Sequence, residues 1–284
     1  MCRLFGLSGA SRRSRATFWL LEAPDNLMVQ SRREPDGVGL GYFGEDGRPR
    51  VYKAPIAAYE DRCFAEEARE VESTTFIAHV RYASTGGLEM RNTHPFEQDG
   101  RLFAHNGVVE GLDLLDEYLG EDMALVSGDT DSERVFALIT REARKNGGDV
   151  GAAIESAARW IADKLPLFAL NLILITKDDL WALRYPSTHQ LHVLSRKPCD
   201  RDLEHAGTGG RIHVRSPDLS TTSTVVVASE QMDDDPHWRM LESGELLHAG
   251  PDATLTCRVI LPDLPAHPLT LSDLRPEAVA SQRS

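Results

Sequence analysis

The sequence predicts an α+β fold in which sheets pack together with helices outside. Two observations carry that expectation. Short apolar runs broken by glycine fill the first part of the chain, and similar runs return after about residue 169. Between them lie segments with helical spacing of apolar residues. Strands, then helices, then strands again argue for packed sheets rather than an alternating βαβ chain.

Leu4 to Ser8, Gly37 to Phe43, Phe76 to Tyr82 and Leu102 to His105 read as strands. Gly111 to Leu119 reads as a short helix. A stronger helix runs from Thr130 to Lys145, where Thr130 caps the first turn, Glu133 stands at capping-box spacing, and Gly147-Gly148 stop it. A third, from Val150 to Leu165, carries Ile154, Ala157, Ala158 and Ile161 on one face, with Pro166 at its end. Ala169 to Thr176, Trp181 to Tyr185, Leu191 to Leu194 and Thr224 to Ser229 are the returning strands. From Leu261 the chain turns Pro-rich and polar. The reading is one domain over residues 2–260 and a poorly packed tail over 261–284.

Composition excludes several classes. The 284 residues carry a net charge of −13, with Lys and Arg scattered apart from Arg12, Arg13 and Arg15, which disfavours a nucleic-acid partner. No apolar run approaches the roughly 20 residues that span a bilayer, and no secretory signal is visible. Cys2, Cys63, Cys199 and Cys257 form no CxxC pair, so a cytoplasmic protein without a disulfide framework or cysteine zinc site is expected. Gly39, Gly41 and Gly44 fit GxGxxG, but Glu45-Asp46-Gly47-Arg48-Pro49 follows and reads as a hairpin turn rather than a helix start. Asp233-Asp234-Asp235 lacks the alternating spacing of a calcium loop and reads as a solvated turn. The histidines show no metal-ligand spacing, and no cofactor is expected.

Cys2 is the most informative position. Methionine aminopeptidase removes Met1 when the next side chain is small. The new terminus then holds a thiol beside an α-amine whose ordinary pKa is about 7.7–8.0, so nucleophile and base share one residue. Asn106-Gly107 offers a side-chain amide and a flexible backbone N–H for an oxyanion, although Asn-Gly is also a turn dipeptide. Arg81 can grip a carboxylate with two prongs, or form a surface ion pair. Asp131 can bind an ammonium, and an acid there also suits the helix dipole.

At these residues the sequence resembles the class II glutamine amidotransferases, the cysteine branch of the N-terminal-nucleophile hydrolases. The matching segments are Met1-Cys2-Arg3-Leu4-Phe5-Gly6, Pro35-Asp36-Gly37, His79-Val80-Arg81-Tyr82-Ala83-Ser84, Asn92-Thr93-His94-Pro95-Phe96, His105-Asn106-Gly107 and Thr130-Asp131-Ser132-Glu133. Val227-Ala228-Ser229-Glu230, Asp235, Trp238 and Gly244-Glu245-Leu246 look like the short stand-alone subgroup. The resemblance implies a four-layer αββα sandwich and Cys2 as the nucleophile. Asn106 and Gly107 would form the oxyanion hole, with Arg81 on the substrate carboxylate and Asp131 on its ammonium. Ser84 and His94 would line the pocket. Tyr82 stands where larger members carry Trp. The implied substrate is glutamine or a γ-glutamyl small molecule. The alternative is a glutaminase subunit that feeds ammonia to a separate synthase, and a third reading is a non-catalytic domain that kept the fold.

Overall fold

The computed structural model describes residues 2–83, 86–197, 203–206, 213–216, 223–276 and 278–279. In chain order the strands are β1 Arg3–Ser8, β2 Gly37–Phe43, β3 Pro49–Ala54, β4 Thr75–Arg81, β5 Phe96–Gln98, β6 Arg101–Val109 and β7 Leu167–Ile175. They continue with β8 Leu180–Arg184, β9 His192–Arg196, β10 Leu203–Ala206, β11 His213–Ser216, β12 Thr224–Ala228, β13 Arg239–Met240, β14 Glu245–Ala249 and β15 Leu255–Val259. The α-helices are α1 Leu27–Gln30, α2 Arg62–Glu70, α3 Leu112–Leu119, α4 Asp131–Lys145 and α5 Val150–Lys164.

Two antiparallel sheets form the centre. One runs β13-β9-β12-β1-β4-β2-β3 and the other β15-β14-β8-β7-β6-β5, while β10 and β11 make a separate pair. Strand alternation sorts the side chains into layers. Leu4, Ile77, Val225 and Val227 of the first sheet meet Leu102, Ala104, Ile173 and Ala182 of the second. Phe5, Leu7, Phe76 and Val226 face outward under Trp19, Leu27 and Phe64. On the far side Phe103, Leu172 and Leu183 pack against Phe136 of α4 and Ile154 and Ile161 of α5. The result is helix, sheet, sheet, helix. The sheets approach closely at Gly6, where an added Cβ would lie 3.0 Å from Leu180 and 3.1 Å from Ile173.

The expected strands and helices appear, several of them longer than the apolar runs suggested. His79 and Arg81 lie within β4, as the run Phe76 to Tyr82 suggested, while β6 continues past His105 through Asn106 and Gly107 to Val109. Thr130 caps α4 by accepting from the Glu133 N–H at 3.3 Å, while Glu133 reaches back to the Gly128 N–H at 2.6 Å. Gly44 to Arg48 closes the β2–β3 hairpin, and Gly39 is required because a Cβ there would lie 1.9 Å from the His94 carbonyl oxygen.

One expectation is corrected. The acidic run is no free turn. Asp235 pairs with Arg196 at 2.6 Å, and Asp233 accepts from the Trp238 indole at 2.7 Å. Among the described residues after 260, most side chains are exposed, yet the chain is held down at several points. Ala266 donates to the Ala162 carbonyl, and the Leu167 N–H donates to His267 at 2.9 Å. Leu274 and Ala278 are buried against Val108, Phe168 and Ala169. A segment without regular structure thus satisfies its backbone at the end of α5 and the start of β7, and a few apolar side chains hold it down. Cys199 lies outside the described residues.

Candidate active site

Antiparallel pairing of β1 with β4 sets Arg3 opposite Val80 and so brings the start of one strand beside the end of the other. Cys2 and Arg81 thereby meet at the same lip of the sandwich. Cys2 Sγ accepts from the Tyr82 N–H at 3.2 Å and lies 3.4 Å from the Tyr82 carbonyl oxygen. From the facing sheet, the Asn106 side-chain amide donates to the Cys2 carbonyl at 2.8 Å. Gly107 follows on β6, pressed so close to β7 that a Cβ would lie 1.9 Å from the Ala169 carbonyl oxygen. Only glycine fits there without moving a strand.

Arg81 is 4% exposed and donates to the Gly87 carbonyl at 3.0 Å and the Gly86 carbonyl at 3.3 Å. Burial pulls its guanidinium down, and the charges at Cys2, Asp36 and Asp131 oppose that. Asp131, in the first turn of α4, accepts from the Val109 N–H at 2.9 Å. His94 is buried and stacks at 4.2 Å on His79. Burial lowers both imidazoles, His79 to about 3 and His94 well below its ordinary value, with nearby Arg81 and histidine charges adding to the effect. Burial likewise pushes the Cys2 thiol up to about 11. Ser84 lies outside the described residues. The other six expected residues, Cys2, Arg81, His94, Asn106, Gly107 and Asp131, line one pocket of about 20 Å³, room for little more than a water molecule. Tyr82, Gly107 and Thr130 of that pocket are chain neighbours of Ala83, Val108 and Asp129, which line a larger cleft of about 770 Å³.

Sequence reasoning left four residues without roles. His79 completes the imidazole stack. Asp36 accepts from the Ala83 N–H at 2.9 Å and its own N–H donates to the Arg81 carbonyl, tying down the chain after β4. Arg3 is fully buried and pairs with buried Glu34 at 3.3 Å. A charged residue opening an apolar strand was the signal available, since a buried charge demands a partner.

A thiol at the head of a central strand, between two stacked antiparallel sheets enclosed by helices, is the architecture of the N-terminal-nucleophile hydrolases. A family described as "Glutamine amidotransferases class-II" matches residues 1–260, and the chain belongs to that family. The γ-glutamyl-hercynylcysteine sulfoxide hydrolase of Mycolicibacterium smegmatis is 28% identical over 249 residues, covering 84% of this chain and 91% of that protein. An uncharacterized protein of Methanocaldococcus jannaschii is 30% identical over 246 residues, covering 78% and 63%. Among solved structures, the glutamine phosphoribosylpyrophosphate amidotransferase of B. subtilis aligns with a TM-score of 0.65 at 19% identity, over 93% of this chain and 50% of that one. The chain spans 25% to 63% of the length of several curated relatives. Among the described residues no helix is long and apolar enough to cross a membrane.

Proposed function

We propose that the protein is an N-terminal-cysteine amidohydrolase that cleaves the γ-amide of glutamine or of a γ-glutamyl conjugate. The observation that carries this reading is the convergence on Cys2: the Asn106 amide bonds its carbonyl, and Arg81 and Asp131 line the same pocket. A buried cation and a buried anion beside one nucleophile match an amino-acid head group. With an amide on its nitrogen, Cys2 has a thiol held protonated, about 11, and no adjacent base. Removal of Met1 supplies that base.

The α-amine takes the thiol proton, and sulfur attacks the γ-carbonyl. Asn106 and the Gly107 N–H stabilise the oxyanion. The tetrahedral adduct collapses to a glutamyl thioester, and the α-ammonium gives its proton to the departing amine. Water, deprotonated by the same amine, then releases glutamate and restores the thiol. Arg81 holds the substrate α-carboxylate and Asp131 its α-ammonium, with His94 lining the same pocket. The catalytic pocket is too small for the whole substrate, so its walls part to admit the head group between Arg81 and Asp131. Near-complete mutual coverage with a γ-glutamyl hydrolase supports hydrolysis over delivery of ammonia to a separate synthase. We place the protein in the cytoplasm, where its thiols stay reduced.

The deciding measurement is kcat/KM for glutamine, γ-glutamyl-methylamide and the des-amino analogue of glutamine, on wild type, Cys2→Ala and Asp131→Ala. Cys2→Ala should be inactive. The des-amino analogue should lose about 2–5 kcal/mol of transition-state stabilisation on wild type, because it leaves Asp131 facing no ammonium. Equal rates for glutamine and that analogue would remove the head-group assignment.

A further inference from the structure

Beside Cys2 lies a set of charges that the thiol chemistry above leaves unused. Arg3 Nη1 stands 3.3 Å from Glu34 Oε1 and 3.5 Å from the Cys2 carbonyl oxygen. Its Nη2 stands 2.8 Å from Glu230 Oε1. Glu230 also meets Arg33 at 2.9 Å, and Arg33 lies 3.6 Å from Asp25. Along this chain of contacts three carboxylates face two guanidiniums. The outer members Asp25, Arg33 and Glu230 are partly exposed, whereas Arg3 and Glu34 are 2% and 0% exposed. The sealed end is therefore the costly one, and it carries a carboxylate that shares its guanidinium with a second carboxylate. The Arg3 nitrogen that pairs with Glu34 also reaches the Cys2 carbonyl, and Glu34 is among the charges that act on Cys2, so a cation on the Cys2 nitrogen forms next to that carboxylate. Cys2 is covalently next to Arg3, and its nitrogen becomes an ammonium when Met1 is removed.

We propose that Glu34, braced by Arg3, is a positioning residue that accepts a hydrogen bond from the α-amine of Cys2 and aims that amine at the thiol. This rests on the reading of Cys2 as nucleophile with its own amine as base. The charged groups about Cys2 are Arg3 of β1, 3.5 Å from its carbonyl, Glu34 ahead of β2 and Arg81 at the end of β4, with Glu230 after β12 joined through Arg3. The carboxylates favour its protonated form and the guanidiniums oppose it. Glu34 acts electrostatically at the Cys2 thiol itself, which it helps to keep protonated, after burial and against the opposing Tyr82 N–H.

The test is the pH profile of glutamine hydrolysis for wild type, Glu34→Gln and Glu34→Asp, each checked by intact mass for loss of Met1. Glu34→Gln removes the negative charge, so the amine sheds its proton more readily. The acidic limb of kcat/KM should move to lower pH by about one unit. Its kcat should fall on the order of 10- to 100-fold with KM little changed, because the amine is misaimed while the head-group contacts stay. Glu34→Asp should keep the wild-type limb and recover part of kcat. The limb position does not depend on how much protein folds, so a destabilised variant still reports. An unmoved limb in Glu34→Gln with Met1 removed overturns the inference. Turnover by Cys2→Ala would instead overturn the nucleophile assignment beneath it.

Discussion

The Asn106 side chain of β6 donates to the Cys2 carbonyl over 2.8 Å, and this bond crosses from one sheet to the other. A side-chain amide has two N–H groups. One is committed to the Cys2 carbonyl, and in the proposed mechanism the other donates to the carbonyl oxygen that becomes charged.

Asn106→Ala should therefore lower kcat about 10²- to 10³-fold, because the donor acts mainly on the developing oxyanion. KM should change little. Steady-state kinetics check this, and a raised KM with kcat intact would assign Asn106 to ground-state binding instead.

Gly107→Ala should fail for a steric reason. The new Cβ would sit 1.9 Å from the Ala169 carbonyl oxygen, so β6 and β7 must separate. Overpacking of this kind costs about 1–3 kcal/mol and more where backbone must move. Urea unfolding should show a lower midpoint, and activity should fall with it. A midpoint equal to wild type would mean that the strand pair yields freely.

Buried His79 and His94 make stability depend on pH. Their folded-state values are depressed, His79 to about 3, whereas an unfolded imidazole titrates near 6.5. Below about 6.5 the unfolded chain binds protons that the folded chain refuses, so stability falls as pH drops from about 6.5 toward 3. The urea midpoint should decline between pH 7 and pH 5, above the range in which most carboxylates titrate. His94→Gln should flatten that decline.

Truncation after Asp273 should be costly although it falls beyond the family match. It removes Leu274 and Ala278 from their packing on Val108, Phe168 and Ala169. Loss of a buried Leu alone costs about 2–5 kcal/mol, and this site is at the periphery, so about 2 kcal/mol is expected. Val108 follows Gly107 directly, so kcat should drop as well. Retention of full activity and full stability would show the segment to be dispensable.

Much of this arrangement was legible in the sequence because it is carried by short motifs. Cys2, Arg81, Asn106-Gly107 and Asp131 each announce a reactive type at a strand end or helix start, and they converge. The strands were legible as well, although β6 extends past His105 through Asn106 and Gly107, where apolar alternation gives no signal. What stayed hidden depends on contacts between distant segments. Nothing local marks Glu34 as the partner of Arg3, or Asp36 as the brace for Ala83. The anchors of the C-terminal segment were hidden too, because its attachment depends on where the end of α5 and the start of β7 offer backbone partners.

Every residue of β1 is buried, and Cys2 precedes it with no intervening spacer. The strand is fixed in place, so anything joined ahead of the cysteine begins at the pocket that Cys2 lines, which in the proposed mechanism admits substrate. An amino-terminal affinity tag on this protein would act as a tethered plug, occupying the doorway at a fixed local concentration that no dilution relieves. Purification handles therefore belong elsewhere on the chain.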